Sequence, residues 1–435
     1  MSSKQHAVFE WAERKAGFAD RLLHPEQSRG LVLSGSVIML AGSGFVSLAN
    51  FGYNIGVAHL LGPGDFSHAA AAVTLLMLAS CINLAFQLVA AKFIARNQQA
   101  GGRAAVYRTL MRQAWSVGLA LCIAMLLLSG PISHYLRLPS NHLIEVLALG
   151  MLFYIPLGVR RGGMQGTCQF ARLSVNLIVE ALVKLIAAIA FVVMGAGVMG
   201  AVGSISLSVF AAYLLPAGDA ALRGESGPGQ AASFGEGVQA IIFFIGQVII
   251  SNIDILMVKH YFAPRDAGLY AAVALVGRLL YFATWSVTSA MFPVSAGQTV
   301  ENESRKTVVV PLLFVAGLSI GFVLLLAAFP GLVIGTLFGG GFHHEGMKLL
   351  LTMNAIATGT YALSVVLITY EMSRRIANTG WFQLVVSGLV VAGVAAFHAS
   401  LLEVIVVQQV LRILLLFAVS VPFFVRGRTS VQEAA

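Results

Sequence analysis

The chain has 435 residues, of which 58% are hydrophobic and only 10% charged, with a formal net charge of +9. A soluble globular chain carries roughly 25% charged residues, so an ordinary soluble fold is excluded. Apolar stretches of about 20 residues, enough to cross a bilayer, recur along the whole length, and the short alternating strands of a membrane barrel are absent.

The first 30 residues mix both charges and lack the apolar core of a cleavable signal. Val8, Trp11, Phe18 and Leu22 fall near one helical face, which Lys15 interrupts. Two readings stand: a short interfacial helix with Trp11 at the headgroups, or an unstructured tail. Twelve spans are then expected, at 31–56, 68–91, 114–134, 143–160, 174–196, 199–217, 238–260, 268–293, 308–335, 347–369, 380–398 and 403–425. Polar, Gly- or Pro-containing loops separate them. Pro156, Pro311 and Pro330 are expected to kink their helices.

Lys and Arg set the orientation. With both termini inside, the tails and inner loops hold twenty of them, including Arg160 and Arg161 after the fourth span. The outer loops and adjoining span ends hold four: Arg137, Lys259, Arg265 and Lys348. The positive charge therefore reads as topology and not as a nucleic-acid surface. The loop 218–237 has the Gly, Ser and Pro content of a flexible linker. It divides the chain into an N-terminal lobe (31–217) and a C-terminal lobe (238–425). Residues 1–30 and 426–435 form cytoplasmic tails. An even number of spans in each lobe makes the two parallel repeats.

A short phrase supports that duplication. Ala58-His59-Leu60-Leu61-Gly62-Pro63-Gly64-Asp65-Phe66 returns 201 residues later as Lys259-His260-Tyr261-Phe262-Ala263-Pro264-Arg265-Asp266-Ala267. His59 meets His260, Pro63 meets Pro264 and Asp65 meets Asp266. Each copy joins one span to the next. Membrane proteins built from two such halves usually hold a substrate between them.

No enzyme site, metal spacing or cofactor motif is visible, and no glycine loop of the nucleotide-cradling type occurs. His343-His344 with Glu345 reads as a solvated loop. Cys81, Cys122 and Cys168 form no disulfide framework. Charge at membrane depth is the informative feature, because a charge at the bilayer centre costs about 3 kcal/mol and so faces a cavity or a partner. Glu180 and Lys184, four apart on the fifth span, either neutralise each other or both line a lumen, where Glu180 could take up a proton. Arg278, in mid-span, either meets an anion through paired hydrogen bonds or pairs with Asp254. Arg412 either snorkels to lipid or faces a neighbouring helix. Asn54, with Asn50, and Asn252 occupy similar places in the two halves. They either line the cavity or join helices. The lumen candidates are thus Arg278, Lys184, Arg412, Asn54 and Asn252, and the coupling carboxylates are Glu180 and Asp254.

The phrase from Ala58 to Phe66 resembles the first-loop signature of the polysaccharide transporter family. These are the Wzx-type lipid-linked oligosaccharide flippases of the multidrug/oligosaccharidyl-lipid/polysaccharide exporter superfamily. Asn252 to Lys259, Gly268 to Ala272, Gly277-Arg278 and Ala290 to Ser295 resemble their seventh and eighth spans. Arg161 to Phe170 resembles the pattern after their fourth span. Ser67 departs from the usual Gly. The resemblance implies an all-α, V-shaped, MATE-like bundle of about 12 helices in a bacterial inner membrane. It also implies an undecaprenyl-diphosphate-linked oligosaccharide as cargo, with membrane lipids around it and a polymerase and chain-length regulator as partners. A cation-coupled multidrug exporter is the alternative. That reading wants a cavity dominated by carboxylates and aromatics, where this chain places three basic groups against two acidic ones. A polysaccharide polymerase or ligase would bring a large outer loop, and every outer loop here is short.

Overall fold

The computed structural model describes residues 25–97, 99–216, 222, 227, 238–297, 301–342, 346–374 and 380–432. The readings made for the first 24 residues, for most of the 218–237 linker and for His343, His344 and Glu345 lie outside these. Among the described residues every regular element is helical and there is no strand. Helices α1 (25–61) and α2 (63–96) follow one another across a kink at Gly62, whose φ of 73° suits glycine. There follow α3 (Ala100–Leu127), α4 (Ser129–Tyr135), α5 (His142–Gly166), α6 (Phe170–Phe191), α7 (Gly197–Leu214) and α8 (Val238–Tyr261). The chain continues through α9 (Pro264–Gly297), α10 (Glu301–Ala328), α11 (Pro330–Phe338), α12 (Met347–Arg374), α13 (Gly380–Ala396) and α14 (Leu401–Gln432).

Nine apolar helical stretches among the described residues are long enough to cross a membrane. Two of them, Ala41–Arg96 and Phe170–Leu214, each contain two spans. The first divides at Gly62. The second divides at a π turn, Val192–Ala196, where Gly195 and then Gly197 take positive φ. With the shorter Gly380–Ala396, twelve spans result. Large side chains such as Leu48, Leu127, Leu313 and Phe417 are exposed on the outside. That is the surface lipid requires and water would penalise.

The repeat reaches further than the sequence phrase. From Arg96 to Gly297, where α2 and α9 end, is 201 residues, as is the step from Ala100 to Glu301, where α3 and α10 begin. The third span of each half is also broken at equivalent places, Leu128 and Phe329. Pro63 and Pro264 both sit at the start of a helix, where the missing N–H costs nothing. Of the three prolines expected to kink helices, Pro156 and Pro311 lie inside unbroken α5 and α10, and Pro330 opens α11 just after a break.

Several helices run past the expected spans, α10 from Glu301 and α14 to Gln432 among them, and two of these extensions move charged residues. Helix α3 begins at Ala100, well before 114, so Arg103, Arg108 and Arg112 are helical and not loop residues. Helix α5 continues to Gly166, so Arg160 and Arg161 are not in an inner loop. Three glycines of α5 form a packing stripe. Ideal Cβ atoms on Gly158, Gly162 and Gly166 would approach the carbonyl oxygens of Asn83, Gln87 and Ala91 within 2.4–2.7 Å. Small residues four apart thus let α5 lie against the backbone of α2.

That stripe carries two cations into the interior. Arg160 donates to the Leu215 carbonyl (2.8 Å) and lies over the Tyr213 ring. Arg161 donates through Nε to Asn176 (2.8 Å) and through Nη2 to Glu180. Of the two readings for Glu180 and Lys184, the mutually neutralised pair is not what forms, because the Glu180 carboxylate is taken by Arg161 from α5. Burial and a second hydrogen bond make that the better partner.

The two copies of the phrase face each other. A Cβ at Gly268 would lie 1.8 Å from the Pro63 carbonyl oxygen. Lys259, only 1% exposed, donates from Nζ to Ser67 Oγ at 2.7 Å, and Ser67 donates to the Gly64 carbonyl at 2.6 Å. Beside this seam, the His260 ring stacks on Tyr135 with centroids 3.9 Å apart. Phe66 packs against Phe338 and Phe342. Lys259, expected at an outer span end, is thus wholly interior.

Two outcomes follow. Gly268→Ala should force the two turns apart and cost about 1–3 kcal/mol, as overpacking does. A fall in the apparent thermal midpoint in detergent reads this out, with Gly64→Ala, which meets open space, as the silent control. Arg161→Ala strands the Glu180 carboxylate and should cost about 3–5 kcal/mol. The same melt should show that Arg161→Ala combined with Glu180→Gln recovers much of the loss.

Candidate functional site

A cavity of about 260 Å³ opens between the two halves. The first half supplies Asn50 and Asn54 from α1 and Lys184 from α6. The second supplies Asn252 and Asp254 from α8, Arg278 from α9 and Arg412 from α14. Six of the seven residues singled out in the sequence thus share one lining. Glu180 is not on it and stays with Arg161 one turn away.

Each group is held differently. Lys184 is buried and sets its ammonium 5.1 Å from the centroid of the Tyr53 ring, a cation–π contact. Tyr53 is itself fixed by donating to the Ala201 carbonyl at 3.0 Å. Asn54 and Asn252 donate to carbonyls one turn back on their own helices, Asn50 at 2.8 Å and Val248 at 2.7 Å. Their amide donors join no helices, contrary to the commoner expectation for such residues. Each keeps its amide oxygen as an acceptor.

Asp254 does not pair with Arg278. Its carboxylate accepts the Tyr270 hydroxyl at 2.7 Å and the Ile255 N–H at 2.9 Å. Tyr270 in turn accepts from Gln408 Nε2 at 2.7 Å, and Gln408 Oε1 accepts from Arg412 Nη2 at 2.9 Å. A buried chain of four side chains thus runs from the guanidinium of α14 to the carboxylate of α8. Arg412 also donates to the Ile250 carbonyl at 3.3 Å and lies over the Tyr361 ring. It faces the interior and not lipid.

Arg278 is the exception. Its Nη2 is buried with no hydrogen-bond partner. Asn50 Oδ1 and Arg412 Nε, on the same lining, also lack one. A buried polar atom left unpaired costs about 1–3 kcal/mol, more when it belongs to a charged group. With Ser251 Oγ and Tyr361 OH, five such atoms belong to residues of this one lining, and unsatisfied buried groups gathered in this way call for an explanation.

The sequence reading missed the supporting side chains: Tyr53, Tyr270, Gln408, and the Tyr281–Tyr361 pair stacked at 6.1 Å on the cavity wall. Only Gln408 left a signal, its four-residue spacing from Arg412. Among the described residues no cluster of three metal-ligating side chains exists.

The comparisons agree with this architecture. No curated protein matches the chain. The solved "Lipid II flippase MurJ, inward closed conformation" superposes with a TM-score of 0.70 at 11% identity, covering 90% of this chain and 87% of that one. An inward-facing multidrug resistance MATE transporter of the MOP superfamily gives 0.68 at 13% identity, over 90% of this chain and 96% of that one. An outward-facing MATE transporter gives 0.61 at 13% identity, over 93% and 96%. At these identities the likeness shows the fold. The family model described as "Polysaccharide biosynthesis protein" matches residues 57–344, which span both copies of the repeated phrase and all of the cavity wall from Val73 to Arg278. The chain is therefore a multi-pass membrane protein that belongs to the polysaccharide biosynthesis protein family and carries the fold of the MOP-superfamily transporters.

Proposed function

We propose that the protein flips an undecaprenyl-diphosphate-linked oligosaccharide across a bacterial inner membrane by alternating access to the cavity between its halves. The observation that carries this reading is the Arg278 guanidinium, whose Nη2 is buried without a hydrogen-bond partner, on a cavity wall opposed by Lys184 of the other half. A diphosphate could take parallel hydrogen bonds from Arg278 and the charge of Lys184 together. Arg412, Arg278 and Lys184 face a single lining carboxylate, Asp254, whose charge is already engaged by Tyr270. That balance favours an anionic cargo over the cationic drugs of a multidrug exporter. Asn50, Asn54, Asn252, Asn354 and Thr358 offer hydrogen bonds to sugar hydroxyls, and the Tyr281–Tyr361 pair offers a face for a sugar ring.

Size constrains the mechanism. A drug-sized site occupies roughly 300–1,000 Å³, so a cavity of 260 Å³ takes the diphosphate and about one sugar, and not a whole repeat unit. The remaining sugars need the halves to part, while the lipid tail stays in the bilayer. Rocking of a lobe of residues 31–217 against one of 238–425 would do this. With no nucleotide-cradling loop in the sequence, the drive falls to an ion gradient or to the glycan gradient itself. Asp254 is the carboxylate placed to couple an ion to the cargo. Glu180, held by Arg161 away from the cavity, is not. A polymerase and a chain-length regulator working on the same glycan are the expected neighbours.

The test compares a deletion strain with rescue by the wild type, Arg278→Ala and Arg278→Lys. Loss of surface polysaccharide with lipid-linked glycan accumulating on the cytoplasmic leaflet is expected in the deletion. Arg278→Ala should fail to rescue at normal protein level, and Arg278→Lys should rescue in part. Unchanged polysaccharide with raised sensitivity to cationic drugs would establish the exporter reading instead.

A further inference from the structure

The third span of each half ends in a short helix set off by a break, α4 in the first half and α11 in the second. Each short helix leaves its own half and rests on the repeated phrase of the other. Tyr135 of α4 stacks on His260 with the ring planes 9° apart, and its carbonyl accepts a hydrogen bond from His260 Nδ1 at 2.7 Å. The next residue, Leu136, is buried with Ala71 of α2 and Leu256 of α8. In return, Phe338 at the end of α11 and Phe342 in the turn after it close on Phe66, with centroids 6.4 and 5.9 Å away. All three rings are buried. A Cβ on Gly339 would lie 3.3 Å from the His59 imidazole. His59 and His260 hold equivalent places in the two phrases. The halves thus exchange their short helices, and the exchange follows the symmetry of the repeat.

These contacts are of a kind that can part. The ionic contact of Arg161 with Glu180 lies within one half, and so does the chain from Arg412 to Asp254. Ring stacks, apolar packing and single hydrogen bonds cross this seam. A positive-φ residue follows each short helix, Arg137 (φ 49°) after α4 and Gly339 (φ 82°) after α11. Each chain therefore turns back sharply toward its own half. The Lys and Arg balance puts both phrases on the outer face, beyond the cavity. Packed interfaces of this sort switch between discrete arrangements and do not deform continuously. We propose that this seam is the outer gate of the cavity, held shut by two exchanged latches, α4 on the second phrase and α11 on the first, which release together when the cavity turns outward. The gate rests on the transporter fold and holds whatever the cargo is.

The experiment uses the full-length protein in sealed membrane vesicles of both orientations. Cys81, Cys122 and Cys168 are replaced by Ser, and Asn54→Cys is the reporter. Asn54 lines the cavity one side of the seam, about 12 Å of helix from Gly62. A membrane-impermeant charged maleimide then reports which face reaches it. With both latches intact, labelling from the outer face should be slow. Tyr135→Ala frees one latch and Phe66→Leu the other. Each alone should raise outer labelling in part, and the pair should raise it several-fold with a matching fall from the cytoplasmic face. Thermal transitions establish that each variant is folded. Tyr135→Ala, whose side chain is already 46% exposed, tests the first latch by itself should the pair not fold. Outer labelling unchanged in the folded pair, or in Tyr135→Ala, overturns the proposal. So does outer labelling that rises with no fall inside, which would make the seam a fixed wall whose loss opens a leak. No glycan enters the assay, so its outcome is separate from that of the rescue experiment.

Discussion

Inside hydrocarbon an ionised side chain has no water to turn to, and the arrangement of this protein follows from that. Unpaired, each such group costs several kcal/mol, so each must be drawn inward and bonded. Arg160, Arg161, Lys184, Asp254, Lys259 and Arg412 are all buried, and each has a partner on another helix or an aromatic ring. These contacts tie α5 to α6 and α7, α8 to α2 and α9, and α14 to α8. At the seam between the halves, the cavity lining holds Arg278 Nη2, Asn50 Oδ1 and Arg412 Nε, which the protein does not satisfy by itself.

Packing and chemistry were legible to different degrees. The spans were readable because lipid demands an unbroken apolar run of a fixed length. Their ends were not, because α3 and α5 run on past the apolar layer, and a helix keeps its hydrogen bonds in either medium. Arg278, Lys184, Arg412 and Asp254 could be picked out because charge in an apolar run is conspicuous. Their pairings could not. The partner of Glu180 lies nineteen residues away on another helix, and that of Asp254 is a tyrosine inside an apolar stretch. The four-residue spacing of Glu180 and Lys184 pointed to a local pair. Tertiary packing offered Arg161 instead, with Asn176 to complete its fork.

Geometry repeats between the halves and chemistry does not. The breaks at Gly62, Leu128 and Phe329 and the prolines at helix starts recur at a constant interval, since they answer to backbone sterics that both copies share. Met77 and Tyr53 stand where Arg278 and Asp254 stand in the other copy. The wall from the second half therefore carries Asp254, Arg278 and Arg412, and the wall from the first half has Lys184 as its one charged residue. The lining is thus asymmetric in charge although the backbone that holds it is repeated.

The position shared by Ser67 and Gly268 carries this divergence into the ancestry of the fold. In the second copy the space for a side chain is filled by the Pro63 carbonyl of the first, and in the first copy it holds a hydroxyl that receives Lys259. A symmetric pair of first halves would drive Ser67 into the backbone that Gly268 now accommodates. A symmetric pair of second halves would have no hydroxyl for the ammonium. The copies have become complementary parts, so an ancestor that assembled as two identical chains could not be rebuilt from either half as it now stands.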